Sequence, residues 1–172
     1  MDQVHKRNLI FISLSQFGMA FSVNFIMVIL PFFTLQISPY SPQETLLWVG
    51  WIMGSSSLVM TIASNSWGSL TSRFNPKLLY LRAILAYIVL FLLMGFTSNL
   101  TLLLILRIIQ GVFGGVSTVG LVIVSSSSSR ESISADIGFF QTFQTLGHLI
   151  GPLIGALAAS ILGYRGAFVS VS

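Results

Sequence analysis

The chain has 172 residues, of which 54% are hydrophobic and only 7% charged, against about 25% charged in an ordinary soluble domain. A water-soluble fold of this length cannot hide so much apolar surface, so soluble enzymes and nucleic-acid-binding modules are excluded. The absence of cysteine removes disulfides, thiolate nucleophiles and thiolate metal sites, and the net charge of +4 is distributed as a membrane protein distributes it.

Five apolar stretches follow in chain order, each meeting the requirement of about 20 residues for crossing a hydrocarbon core. The first runs from Leu9 to Leu35. It is too long for a signal-peptide core and is expected to remain as a helix. Gln16 and Asn24 are its strongest polar groups, beside Ser13, Ser15 and Ser22. They suit a cavity lining and interhelical hydrogen bonding equally. The second stretch, Leu46 to Leu70, is introduced by Ser41-Pro42-Gln43-Glu44. That tetrapeptide has the form of a capping box with proline at the first helical position. Asn75-Pro76 opens the third stretch, Leu78 to Phe96, in the same way. Ser98 or Asn99 can cap the fourth, Leu100 to Val124.

The fourth stretch holds the only basic residue expected deep in the membrane, Arg82 lying at the cytoplasmic end of the third. At about 1.5 Å per residue from Leu100, Arg107 lies about 10 Å into the membrane. An arginine at that depth costs several kcal/mol unless it faces water or a partner, which makes it a functional candidate, together with Gln110. Snorkelling to the interface or bonding to backbone carbonyls is the competing account. A serine-rich run, Ser125 to Ser129, then links to the fifth stretch, Ile137 to Leu162. On that stretch Gln141, Gln144, Thr145 and His148 share one face at about 100° per residue. His148 falls near the bilayer centre, where it either titrates or hydrogen-bonds a neighbouring helix. Gly163 can close this helix, and a sixth begins from about residue 166. The aromatic residues Phe17, Phe21, Phe25, Trp48 and Trp51 are read mainly as packing.

Basic residues set the orientation. With the N-terminus in the cytoplasm, Lys6, Arg7, Arg73, Lys77, Arg82 and Arg130 all fall at cytoplasmic ends. The positive-inside bias favours that arrangement. Glu44 is then external, while Asp2, Glu131 and Asp136 are cytoplasmic, so any carboxylate partner for Arg107 comes from outside this chain. Two histidines, one of them His5 in the tail, make no metal set. No nucleotide-binding loop, hydrolytic triad or catalytic carboxylate pair is present, and neither an enzyme nor a bound cofactor is expected.

Three segments carry a family resemblance. Between Gly147 and Ala159 the sequence reads GHLIGPLIGALAA, with Gly147, Gly151, Gly155 and Ala159 each four residues apart around Pro152. Within a membrane such a stripe lets helix backbones approach closely, and it resembles the fifth span of proton-coupled antiporters of the major facilitator superfamily. Trp67 to Lys77, WGSLTSRFNPK, is similar to that family's cytoplasmic signature G-x-L-x-D-R-x-G-R-K. Gly68, Leu70, Arg73 and Lys77 are in register, while Ser72, Asn75 and Pro76 replace the aspartate, glycine and arginine. Arg107, Gln110 and Gly111 match the fourth-span pattern R-x-x-Q-G.

The resemblance covers nearly the whole chain and implies an all-α bundle, five spans and the start of a sixth, forming the N-terminal half-domain of a transporter. It further implies a multi-pass protein of the cell (inner) membrane, exporting small molecules in exchange for protons by alternating access. Arg107, Gln110, His148, Gln144, Asn24 and Gln16 become candidates for the proton or substrate pathway. Gly68, Leu70, Arg73 and Lys77 become the gating loop, and Gly147, Gly151, Pro152 and Gly155 the packing hinge. The implied partners are lipid, a small-molecule substrate, protons and a C-terminal half on the same or another chain; nucleic acid is not among them. A facilitator or uptake carrier of the same fold, or a shortened membrane protein acting through helix contacts, remains an alternative.

Overall fold

The computed structural model describes residues 3–172; Asp2, expected at the cytoplasmic end, lies outside them. Six helices follow one another: α1 (Gln3–Ile37), α2 (Pro42–Leu70), α3 (Pro76–Phe96), α4 (Leu100–Val112), α5 (Val116–Ser127) and α6 (Ile133–Val171). The chain is an all-α membrane bundle. Five segments are long and apolar enough to span, α4 and α5 together making one of them.

The helix starts follow the local chemistry. The Ser41 hydroxyl accepts from the Glu44 amide at 3.4 Å and the Glu44 carboxylate accepts from the Ser41 amide at 3.2 Å, a reciprocal box at the head of α2. The Asn75 side chain accepts from the Lys77 amide at 3.0 Å, and Asn99 accepts from Thr101 and Leu102 at 2.8 and 3.2 Å. Each satisfies amides that a helix leaves unpaired in its first turn.

One departure from the sequence expectation matters. The fourth stretch, expected as one helix over 100–124, is interrupted at Phe113–Gly115. The fifth stretch closes at Gly163 as expected: within α6 this glycine is non-helical, with φ 69° and ψ 169°, and the chain turns there into a second helical segment, a positive φ that glycine adopts without a Cβ clash. Beyond the bend, Ala167 and Phe168 are fully buried. The Phe168 ring lies 5.0 Å from Phe33 of α1, and a Cβ on Gly95 of α3 would come within 2.7 Å of Phe168 Cβ. Arg165 donates to Ser98 Oγ at 2.7 Å, fastening this last turn to the α3–α4 connection.

The core lies between α1, α3 and the α4–α5 pair, with Phe25, Ile29, Phe33, Met94, Leu103 and Val119 buried. α2 buries only Thr45, Ile52 and Ser56. Leu47, Trp51, Leu58 and Ile62 of α2, like Leu149, Leu153, Leu157 and Ile161 of α6, are exposed. Since lipid is as apolar as leucine, such faces need no polar cover, and helix association rests on close packing and hydrogen bonds.

Candidate functional site: a buried arginine and an amide-lined cavity

Arg107 and Gln110 lie one turn apart on α4 and are each 3% exposed. Their spacing puts them on one helix face, and Arg107 Nη1 donates to Gln110 Oε1 at 2.6 Å. Arg107 Nε donates to the Ile52 carbonyl of α2 at 3.3 Å, and Nη2 lies 3.6 Å from Met27 Sδ on α1. The guanidinium thus ties three spans together through neutral acceptors. Among the described residues no carboxylate pairs with it; Asp136 instead lies 3.0 Å from His5 Nε2, a hydrogen bond linking the beginnings of α1 and α6.

A second cluster sits beside it. Gln16, Asn24, Tyr87, Ser117, Gln144 and His148 line a cavity of about 110 Å³, with Met19, Met60 and Gly114 among its apolar walls. Ser117 of α5 is its centre: Gln16 Nε2 donates to Ser117 Oγ at 2.7 Å and Gln144 Nε2 does so at 3.3 Å. Tyr80 donates to Gln16 Oε1 at 3.4 Å and shares a 3.0 Å bond with Ser15. Asn24 Nδ2 instead donates to its own helix at Ala20 O, 2.8 Å away. His148 is exposed on the open side of the cavity.

Of the pathway candidates, then, Gln16, Asn24, Gln144 and His148 are brought together, whereas Arg107 and Gln110 form a separate pair. Ser117, Tyr80 and Tyr87 escaped the sequence reading. A lone serine in an apolar run, and two tyrosines seven residues apart on one helix face, were the signals available.

The glycines of α6 meet the backbone of α1 directly. A Cβ at Gly147, Gly151 or Gly155 would lie 2.6 Å from the carbonyl oxygens of Phe17, Phe21 and Phe25 respectively. Both series advance by four residues in the same direction, so the two helices run parallel in one register for more than two turns. At this separation Cα–H···O contacts recur between helices. Pro152 lies within the ladder and frees the carbonyl of His148 from its usual helical partner.

Gly68 and Leu70 are half-buried at the end of α2, and Arg73 and Lys77 are exposed in the loop and at the start of α3. A Cβ on Gly68 would meet nothing within 4 Å. This loop therefore presents two cations outward and is held by its own turns, Arg73 N to Leu70 O at 3.1 Å and Phe74 N to Leu70 O at 2.9 Å.

Comparison with known proteins places this geometry. The chain is 30% identical over 171 residues to the staphyloferrin B transporter of Staphylococcus aureus, covering 99% of this chain and 41% of that protein. It is 34% identical over 165 residues to the multidrug resistance protein MdtG of Serratia proteamaculans and 31% over 163 residues to MdtG of Proteus mirabilis. Each of those matches covers 95% of this chain and 40% of the relative. The chain therefore spans about two fifths of the length of these relatives. The match to the Major Facilitator Superfamily extends over residues 12–172, the buried arginine pair, the amide-lined cavity and the glycine ladder all included, and the chain belongs to that family.

Proposed function

We propose that this chain is the N-terminal half-domain of a secondary transporter that exports small molecules in exchange for protons across the inner membrane, its N-terminus cytoplasmic. The observation that carries this reading is Arg107: a permanent charge, 3% exposed in an apolar span, held only by neutral acceptors. A charge so placed costs several kcal/mol, and its natural complement is an anionic group that comes and goes. That group is a carboxylate of the substrate or of a second half. The amide-lined cavity next to it supplies neutral donors and acceptors that orient a substrate without trapping it. The exposed faces of α2 and α6 are where a second half packs, and Arg73 with Lys77 contribute to closure at the cytoplasmic side. The names of the relatives, a staphyloferrin B transporter and multidrug resistance proteins, support movement of staphyloferrin B or of drug molecules as the work of the complete protein.

The experiment uses everted membrane vesicles from cells expressing the protein, energised by respiration and carrying a fluorescent reporter of the proton gradient. Ethidium and staphyloferrin B are the two probes. Proton release on adding either probe, lost in Arg107→Ala with membrane insertion retained, is the expected result. Probe movement without proton movement would replace the antiporter by a facilitator. No movement, with crosslinking to another membrane protein, would replace it by an interaction protein.

A further inference from the structure

The fourth span is broken although it contains no proline. α4 ends at Val112 and α5 begins at Val116, with Phe113 at φ −85°, ψ 2° and Gly115 at φ −76°, ψ 5°. The Phe113 and Gly114 amides reach back only three residues, to Gln110 O at 3.1 Å and Gly111 O at 3.0 Å. Sharp breaks without proline arise at paired small residues or where a side chain enters the helical ladder. Both conditions are met here. Trp67 of α2 directs its indole at the break, and Nε1 donates to the Val112 carbonyl at 2.6 Å. In a continuous helix that carbonyl accepts from the Val116 amide, four residues on.

The seat of the indole is made by glycine. A Cβ on Gly115 would overlap Cβ, Cγ and Cδ1 of Trp67, and one on Gly114 would overlap the Met60 side chain. The Phe113 ring lies 6.2 Å from Trp67, tilted against it.

We infer that Phe113–Gly115 is a two-state hinge and that Trp67 is the residue that positions it. With the indole seated, the span is broken; with the indole withdrawn, the Val112 carbonyl returns to the Val116 amide and the span becomes one helix. One donor replaces another, so the Val112 carbonyl keeps a partner in both states, in a medium where an unsatisfied carbonyl costs several kcal/mol. The two sides of the hinge carry different chemistry. α4 bears Arg107 bonded to Gln110, and α5 bears Ser117 bonded to Gln16 and Gln144. Movement at the hinge therefore changes the angle between the arginine pair and the amide network, and movement of α2 drives it. The use of this motion in transport rests on the function proposed above; the hinge itself does not.

The chain holds three tryptophans, so indole and backbone N–H exchange can be followed by nuclear magnetic resonance in lipid nanodiscs, with Trp67→Phe assigning the Trp67 signal. The Trp67 indole proton is expected to exchange about tenfold faster in Gly115→Ala than in the unsubstituted chain, the scale of one hydrogen bond. In both Trp67→Phe and Gly115→Ala the Val116 amide is expected to exchange more slowly, because the span closes into one helix. Structural damage moves Val116 the other way. Unchanged or faster exchange at Val116 in both variants, or an indole proton indifferent to Gly115→Ala, overturns the hinge. Ethidium efflux, measured in parallel on the unsubstituted protein and on Trp67→Phe, separates the two claims. No efflux by the unsubstituted protein counts against the transporter reading while the exchange data still decide the hinge. Equal efflux by both overturns the role of Trp67 in transport.

Discussion

The α1–α6 and α2–α4 seams both depend on glycine, yet they use it for opposite ends. Along α1–α6, three glycines face three carbonyl oxygens of the opposing backbone, in one register. Those three contacts set backbone against backbone and hold no rotamer to change, so their alternatives are intact packing or separation. Along α2–α4, Gly111 abuts the Ser56 carbonyl, but Gly114 and Gly115 receive the side chains of Met60 and Trp67. Side chains can withdraw where backbone cannot. This second seam also contains the broken helix and the buried guanidinium bond to Ile52. Glycine against backbone makes a fixed joint, whereas glycine against a large side chain makes a seat that can be vacated.

The comparison can be broken most sharply at the fixed joint. Gly151→Leu places a bulky side chain where even a Cβ lies 2.6 Å from Phe21 O. A loss of about 3 kcal/mol is expected, at the upper end of overpacking effects, with lowered thermal unfolding in detergent and no transport. Retained stability would mean the seam can open. Arg107→Ala comes next: it strands Gln110 and leaves a void, costing about 1–3 kcal/mol, and under the function proposed above it is expected to abolish probe-driven proton release while the protein still reaches the membrane. Gly111→Ala tests whether the movable seam begins below its first glycine. A Cβ there meets Ser56 O at 2.6 Å, so destabilisation of about 1–2 kcal/mol is expected, and an unchanged melting temperature would extend the adaptable region as far as Arg107. The smallest stability effect is expected from Gln16→Leu, about 0.6 kcal/mol as for typical interhelical hydrogen bonds in membranes. Its sharper readout is selectivity among transported probes, since Ser117 then keeps only Gln144 as an amide donor from the pair.

Much of this architecture could be read from the chain alone, because the information is local. Span lengths follow from runs of apolar residues. The caps at Ser41, Asn75 and Asn99 follow from side chains reaching amides two or three residues away. The small-residue stripe of α6 follows from helical periodicity, and the cost of a buried charge singles out Arg107 without any knowledge of its neighbours. Tertiary structure alone decided what each of these meets. Nothing local states that the glycines of α6 face Phe17, Phe21 and Phe25, or that Arg107 bonds Ile52 rather than an acid. Gly114-Gly115 permits a break but does not produce one; the indole of Trp67, 45 residues before the Val112 carbonyl it bonds, supplies the donor that makes it. Periodicity and capping are properties of one helix and its own backbone. Pairing across a seam depends on which helices the bundle makes neighbours and in what register, and in a membrane that choice is made by close packing and a few long-range hydrogen bonds rather than by any one segment's hydrophobicity.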